Sequence, residues 1–377
     1  MKDITREFQV LVKPVGAQCN LSCSYCYYLD KKDLAGSRPQ RHMPQQLLER
    51  YISQHIEATT ADTVRFSWHG GEPLLAGIDF FRKITELQGI YMPAGKNLMN
   101  GLQTNGILID DAWCRFFSDN NFLVGLSIDG PSFLHDVYRR TAGGSSTFHR
   151  VKAAYLLLKE YGIHTEILCV VSAENVMYPL QVYDFFRALG AEYITFIPLV
   201  ERNDDGSVAD FSVPPEEYGA FLATVFDRWK AHDIGHIKVQ IFEEALRSAF
   251  SQDHSLCIFK KTCGGVPVME MNGDLYSCDH YVDSHHLLGN INDSSLAGML
   301  DSDRQRDFGR LKLSTLPSFC LDCGVSDMCN GGCPKNRFVS SPAGDPGLNY
   351  LCPGYKIIFG HIKLFAEAVE KVWKQGV

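Results

Sequence analysis

The sequence predicts an α/β protein in which a partial (β/α)6 barrel is followed by a cysteine-rich C-terminal domain. Up to about Ile197, six strand-like apolar runs alternate with helix-like segments. This alternation favours a parallel sheet with crossover helices, and six units fall short of a closed (β/α)8 barrel. After about His254 the elements become short, and eight of the 13 cysteines occur there. We therefore predict a first domain over residues 1–235 and a second over residues 236–377.

The individual elements follow from hydrophobic periodicity. Runs rich in β-branched and aromatic residues predict strands over 8–15, 63–68, 98–104, 122–128, 164–171 and 193–197. Apolar residues at helical spacing predict helices over 44–56, 78–88, 110–120, 147–161 and 176–189. Further along, we predict an amphipathic helix over 216–232, a β-hairpin with its turn at 272–274, and a helix over 355–373.

Composition excludes several classes of protein. The 377 residues carry a formal charge of −8, which argues against a nucleic-acid binder with a broad basic surface. No apolar run approaches the roughly 20 residues needed to span a membrane. The N-terminus carries charges of both signs and lacks the apolar core of a signal peptide. We therefore expect a cytoplasmic protein.

The segment that contains Cys19, Cys23 and Cys26 follows the first predicted strand. Clustered cysteines in a reducing compartment point to metal binding. Three thiolates can hold three corners of a four-iron cluster and leave one iron open to a chelating amino and carboxylate group. The C-x3-C-x2-C spacing resembles the radical S-adenosylmethionine (SAM) signature. Zinc is the alternative, but a structural zinc site takes four ligands, and neither a His nor a fourth Cys lies nearby.

The C-terminal cysteines form a second, denser group. Eight thiols suffice for two four-iron clusters with four thiolates each, which implies an electron-relay or structural role. Zinc also accepts four thiolates, so from spacing alone both metals stay open. Cys114 and Cys169 lie in helix-like and strand-like patterns and are expected to be packing residues. The C-terminal candidates are Cys257, Cys263, Cys278, Cys320, Cys323, Cys329, Cys333 and Cys352.

Polar and glycine-rich segments follow the next predicted strands. The glycines of a Gly-Gly-Glu-Pro segment allow close backbone approach to a ligand, and its glutamate offers a carboxylate to an ammonium group. Short polar side chains at the next two strand ends can hydrogen-bond a nucleoside ligand, and an arginine further on can pair with the SAM carboxylate. The residues that we assign to SAM on this basis are Gly70, Gly71, Glu72, Gln103, Ser127 and Arg139.

Taken together, these motifs resemble the anaerobic sulfatase-maturating enzymes, which are radical SAM proteins with a C-terminal SPASM domain. The resemblance also rests on segments 276–280, 288–291 and 348–352, and it runs essentially from end to end. It implies a partial (β/α)6 barrel, SAM, and three [4Fe-4S] clusters, one at the SAM site and two auxiliary. By resemblance, the first auxiliary set is Cys257, Cys263, Cys278 and Cys333, and the second is Cys320, Cys323, Cys329 and Cys352.

The resemblance also implies a reaction and residue roles. A Cys or Ser side chain of a sulfatase polypeptide would be oxidised to Cα-formylglycine after a 5′-deoxyadenosyl radical removes a Cβ hydrogen. Asp279 would be the base, and an electron donor such as flavodoxin or ferredoxin would be the redox partner. Further SAM contacts are implied for Tyr25, Gly71, Ser127, Arg139 and the backbone of Val200, whereas Tyr28 and His69 would line the substrate channel.

Two other functions remain open at this point. A radical SAM–SPASM maturase of another ribosomal peptide would form thioether or carbon–carbon crosslinks. Such enzymes often carry an N-terminal peptide-recognition domain, for which a first strand beginning by Phe8 leaves no room. A non-catalytic iron–sulfur or zinc scaffold is the third possibility, and it leaves the SAM-type strand ends unexplained.

Overall fold

The structure, a computed structural model, describes residues 8–28, 31 and 41–374. The strands are β1 (Leu11–Val12), β2 (Thr63–Trp68), β3 (Asn97–Thr104), β4 (Phe122–Ser127), β5 (Thr165–Val171), β6 (Tyr193–Pro198), β7 (Lys238–Val239), β8 (Val268–Met269), β9 (Asp274–Tyr276) and β10 (Leu287–Asn290).

Two compact units make up the fold. The first comprises residues up to 127, 136–165 and 264–309; the second comprises 128–135, 166–263 and from 310 onward.

Helices separate most of these strands. They are α1 (Gln45–Ala58), α2 (Ile78–Tyr91), α3 (Asp111–Asp119), α4 (Ser132–Tyr138), α5 (Phe148–Glu160), α6 (Pro179–Leu189), α7 (Pro215–His232), α8 (Gln240–Ala249), α9 (Leu296–Leu300), α10 (Asp303–Ser314), α11 (Ser318–Leu321), α12 (Ser326–Cys329) and α13 (Cys352–Lys374). The predicted helices therefore occur in order, whereas α4, α8 and helices α9 to α12 were not predicted. Within the described part of the chain, no helix has the length and apolar character needed to cross a membrane.

The first unit is built on the strand order β10-β9-β8-β1-β2-β3-β4. Strands β1 to β4 run parallel, and β8 also pairs parallel with β1, in the register Leu11 to Val268 and Val12 to Met269. The predicted hairpin is β8–β9, which β10 extends as a third antiparallel strand. Since β8 joins the sheet at β1, the hairpin belongs to the first compact unit. The proposed domain division at 235/236 stays a prediction.

Strand β1 is shorter than the predicted run 8–15, because the chain turns directly after it. Its ladder hydrogen bonds nevertheless extend on both sides: Gln9 N–H donates to the Gly265 carbonyl (3.0 Å), and Lys13 N–H donates to the Met269 carbonyl (2.9 Å). Lys13 is therefore held in the sheet although its side chain is charged, and that side chain is fully buried. A charged residue in this position requires a partner.

The second unit contains the parallel strands β5, β6 and β7 with helices packed around them. Helix α13 packs against α7 and α8, which fits the predicted docking of the C-terminal helix. The contact between α13 and α7 is very close: an added Cβ at Gly354 would lie 2.1 Å from the Pro215 carbonyl oxygen. Only glycine allows the two helix backbones to approach this far.

This contact gives a stability prediction. Gly354→Ala is expected to destabilise the protein by about 1–3 kcal/mol or more, since one helix must move away from the other. Gly360→Ala is the matched control, because it lies in the same helix and an added Cβ would meet no atom within 4 Å. That control should gain about 0.5–1 kcal/mol from helix propensity. Thermal unfolding of both variants tests this, and equal melting temperatures would contradict the close contact.

Candidate active site and cluster ligands

The three N-terminal cysteines lie in the turns after β1, and all three are partly buried. Cys19 and Cys26 are near enough to interact electrostatically, and Cys26 N–H donates to the Cys23 carbonyl (3.0 Å). Burial raises the pKa of Cys19, while the Leu21 N–H directed at its Sγ (3.4 Å) acts in the opposite sense. Such donors stabilise thiolates in cluster sites. The three thiols thus fit a site for a cluster with three protein ligands.

Close backbone contacts hold this cysteine loop against the loop after β2. Gly71 N–H donates to the Gly16 carbonyl (2.9 Å), and Glu72 N–H donates to the Gln18 carbonyl (2.8 Å). An added Cβ at Gly71 would lie 2.1 Å from the Gln18 oxygen. There is therefore no space for a side chain at position 71. The position of Gln18, the residue before Cys19, depends on a glycine at this place.

Glu72 is fully buried, and its carboxylate is bound by the protein itself. Oε1 accepts from Leu74 N–H (3.0 Å) and from the Thr104 hydroxyl (2.8 Å), and Oε2 accepts from Asn105 N–H (2.8 Å). Burial raises the pKa of Glu72 to about 7, although these three hydrogen bonds lower it. The side chain therefore joins the loop after β2 to the end of β3, and its predicted contact with an ammonium group stays a prediction.

The other predicted SAM residues of the first unit also lie near strand ends or in the cysteine loop. Gln103 is near the end of β3 and Ser127 is the last residue of β4. The guanidinium of Arg139 lies 5.5 Å from the ring centroid of Tyr25, and both side chains are buried. These four residues therefore lie at or beyond the ends of β1, β3 and β4, as the sequence predicts. Their contacts with SAM stay predictions.

Asp279 lies beyond the end of β9, and its partner is Lys13. Lys13 Nζ is 2.5 Å from Asp279 Oδ1, with side-chain exposures of 0% and 12% respectively. The Tyr27 hydroxyl donates to the other oxygen, Oδ2. Burial acts to raise the pKa of the Asp279 carboxyl, but the positive charge of Lys13 outweighs it and holds the pKa well below its usual range. Asp279 is thus a buried carboxylate.

A second carboxylate belongs to the same cluster of side chains. Lys13 Nζ lies 3.1 Å from the ring centroid of Tyr28, and the Tyr28 hydroxyl donates to Glu270. Burial raises the pKa of Glu270 to about 7, against the charge of Lys13. Burial also lowers the pKa of His69, whose side chain hydrogen-bonds Gln103. The two predicted substrate-channel residues, Tyr28 and His69, therefore both lie near Lys13 and Asp279.

In the second unit, four of the C-terminal thiols surround one cavity. Leu348, Asn349 and Tyr355 complete much of its wall. Burial raises the pKa of Cys329 to about 12 and that of Cys352 to about 11, and neighbouring thiols act in the same direction. Partly buried thiols gathered around one cavity fit a cluster that binds them as thiolates. The four are Cys320, Cys323, Cys329 and Cys352.

Three further thiols lie together in the second unit. Cys257, Cys263 and Cys333 interact electrostatically with one another, and burial raises the pKa of each. Cys278, the fourth predicted member of this set, follows β9 in the first unit. Val200 also lies in the second unit, where its carbonyl accepts a hydrogen bond from Lys335 Nζ (2.8 Å). Its contact with SAM stays a prediction.

The sequence patterns do not indicate three further residues of the site, which are Lys13, Tyr27 and Glu270. Lys13 carried a signal, because it is a charge within the apolar run 8–15. Tyr27 adjoins the cysteine motif but has no distinctive pattern, and Glu270 lies inside a predicted hairpin strand. All three belong to the site because β8 pairs with β1. The local sequence does not predict this pairing.

The chain matches known protein families over two segments. Residues 14–186 match the Radical SAM superfamily, and residues 263–324 match SPASM, an iron–sulfur cluster-binding domain. The α/β fold, the three-cysteine loop and the C-terminal thiols therefore define a radical SAM protein with a SPASM domain, a class that uses SAM and [4Fe-4S] clusters. The predicted fold class is confirmed, as is the use of SAM and [4Fe-4S] clusters, whereas the number of clusters stays a prediction.

Individual relatives narrow this class. A serine-type anaerobic sulfatase-maturating enzyme of Bacteroides thetaiotaomicron is 44% identical, over 96% of this chain and 91% of the relative. A cysteine-type enzyme of Clostridium perfringens is 32% identical, over 93% and 95%. The structure of native anSMEcpe with bound AdoMet and Cp18Cys peptide superimposes with a TM-score of 0.86 at 32% identity, covering 96% of this chain and 98% of that one. The chain belongs to the family of anaerobic sulfatase-maturating enzymes.

Proposed function

We propose that this protein oxidises a Ser or Cys side chain of a sulfatase polypeptide to Cα-formylglycine, with Asp279 as the base. Membership of the sulfatase-maturating family supports the reaction. The observation that carries the role of Asp279 is its environment: a carboxylate, nearly buried, with Lys13 at one oxygen and Tyr27 at the other. Cys19, Cys23 and Cys26 would hold the cluster that binds SAM, and the two groups together would supply the radical chemistry that activates the Cβ position of the substrate.

The side chains around Asp279 prepare it to accept the hydroxyl or thiol proton of the substrate. Lys13 keeps the carboxyl ionised although it is buried, so the group meets the substrate in its proton-accepting form. Tyr27 holds the carboxylate in one orientation through Oδ2. His69 has a lowered pKa and is expected to be neutral, so it can orient the substrate without adding a charge. A bound peptide that excludes water would strengthen each of these interactions.

Several further assignments belong to the same proposal. The cysteine sets named above are the ligands of one SAM cluster and two auxiliary clusters. The substrate is an unfolded or nascent sulfatase, and a flavodoxin or ferredoxin is the electron donor. The compartment is the cytoplasm, where disulfides are rare and thiols remain available to clusters. Proteins with 13 cysteines and grouped thiols of this kind are suited to a reducing environment.

The reaction is tested by paired peptides that carry a sulfatase motif, one with Ser and one with Cys. Each is incubated anaerobically with reconstituted protein, SAM and a reductant, and a hydrazine traps the product for mass spectrometry. We expect an aldehyde about 2 Da lighter than the Ser peptide, because two hydrogens are lost. The product should be about 18 Da lighter than the Cys peptide, because two hydrogens are lost and oxygen from water also replaces the sulfur, which leaves as sulfide. Deoxyadenosine without aldehyde would instead indicate a maturase of another peptide.

Metal content provides a separate prediction. We expect about 12 irons per chain after anaerobic reconstitution, from three four-iron clusters. Replacing the four cavity cysteines by alanine should remove about four of these irons and leave SAM cleavage intact, because the three-cysteine loop lies elsewhere in the chain. Iron and zinc are measured together by mass spectrometry. About four irons accompanied by zinc would assign the C-terminal thiols to zinc instead.

A further inference from the structure

Arg337 occupies an unusual position in the second unit. Its guanidinium donates to the carbonyls of Asn330 (2.9 Å) and Gly331 (2.9 Å), within the loop that joins Cys329 to Cys333. It also donates to the Lys312 carbonyl (2.5 Å). The backbone of this loop is left-handed at Asn330, Gly331 and Gly332 (φ 46°, 72° and 60°). Its carbonyls are therefore not paired as in a helix, and Arg337 binds them instead. A rigid fork of N–H donors suits such a row of carbonyls.

The charge of Arg337 acts on both groups of thiols. It interacts electrostatically with Cys263 and Cys333, which belong to the first proposed auxiliary set, and with Cys320 and Cys329, which belong to the second. Arginine remains charged in proteins. A single partly buried cation is therefore shared by two groups of ligands that carry negative charge when they bind clusters.

Two lysines in the same unit differ from Arg337, because each of them acts on the thiols of one set. Lys312 is nearly fully buried and donates to the carbonyls of Cys257 and Ile258 (both 2.8 Å). The thiols with which it interacts most strongly belong to the first set: Cys263, Cys257 and Cys333. Lys356 is exposed and interacts with Cys320 and Cys352 of the second set. Arg337 is therefore a cation that acts on both sets, whereas Lys312 acts on the first set and Lys356 on the second. Lys260 and Lys335 also act on single thiols of the first set, Cys257 and Cys333 respectively.

We propose that Arg337 sets the reduction potentials of both auxiliary clusters together, while Lys312 adjusts the first cluster alone. A nearby cation stabilises the more negative, reduced state of a cluster and so raises its potential. Because one charge acts on both sets of thiols, Arg337 raises both potentials in the same direction. This inference rests on the proposed cysteine sets. Arg337 and Lys312 are positioning residues, since neither binds iron or substrate.

The test is a potentiometric titration of reconstituted protein, followed by EPR of the reduced auxiliary clusters. Arg337→Gln is expected to move both midpoint potentials to more negative values. Lys312→Met should lower only one of them, and this assigns that signal to the first cluster. Lys356→Met is the matched control: it should leave the first potential unchanged and alter the second only slightly, because its charge is exposed to solvent and salt. Iron is counted for every variant.

The outcomes are distinguishable. Arg337→Gln with full iron and both potentials unchanged, or with only one changed, would overturn the proposal. If that variant loses iron, Arg337→Lys decides, because it keeps the charge without the fork. The proposal is supported if both potentials of Arg337→Lys lie near those of the unaltered protein and one potential of Lys312→Met is shifted. It is refuted if Lys312→Met shows no shift. A low iron count in the unaltered protein would refute the proposed cysteine sets instead.

Discussion

Asp279→Asn is expected to lower aldehyde formation by about 100-fold or more, the usual contribution of a general base, while SAM cleavage continues. Asparagine keeps the shape of the side chain but cannot accept a proton. The three-cysteine loop and its thiols are unaltered, so iron content should also stay the same. The measurement compares deoxyadenosine and trapped aldehyde from the same anaerobic reaction. A ratio that shifts strongly toward deoxyadenosine is the expected result.

The matched control is Asp283→Asn, which removes a carboxylate four positions further along. The Asp283 side chain is 48% exposed, and it interacts with His285 and His286 rather than with Lys13. Its aldehyde yield should equal that of the unaltered protein. A normal aldehyde yield from Asp279→Asn would remove Asp279 from the role of base.

The ion pair itself is tested by Lys13→Met. Removing one partner of a buried pair costs about 3–5 kcal/mol, because Asp279 is then buried without a compensating charge. The double variant Lys13→Met/Asp279→Asn should recover part of this stability but none of the activity. Chemical denaturation of the single and double variants measures the coupling between the two residues. Strictly additive effects would contradict a direct interaction at 2.5 Å.

Gly71→Ala is also expected to have a large effect, because it should prevent the SAM-site cluster from binding. The new methyl group would lie 2.1 Å from the Gln18 oxygen and 2.8 Å from the Ala17 carbonyl carbon, so the loop that carries Cys19 must move. We expect a loss of about four irons per chain and no SAM cleavage. The C-terminal thiols are remote in sequence and should keep their clusters.

Gly89→Ala is the control for this substitution, since an added Cβ there, in helix α2, would meet no atom within 4 Å. It should bind the full amount of iron and cleave SAM normally. Iron analysis and deoxyadenosine formation are measured for both variants. Full iron content together with normal SAM cleavage in Gly71→Ala would show that the cysteine loop tolerates displacement.

Much of this protein could be predicted because its local patterns are strong. Strand β2 matches its predicted bounds, and the other barrel strands after β1 lie within one or two residues of theirs. Apolar residues recur along each helix or strand with the period of that element, so its buried face can be predicted from the local sequence. The cysteine spacings likewise reflect what a cluster requires of a short loop. Together these features determined the fold class and the family.

The site around Asp279 depended on the tertiary structure. Tyr27 and Asp279 are 252 positions apart, and they meet because β8 adds to the sheet beside β1. Backbone hydrogen bonds between strands are the same for any sequence, so the local pattern does not record which strand is the neighbour. The burial of Lys13 beside Asp279 follows from that pairing, as does the contact between Tyr28 and Glu270. The sequence by itself determined the elements, the thiols and the family; the pairing of distant strands decided which charges share the site.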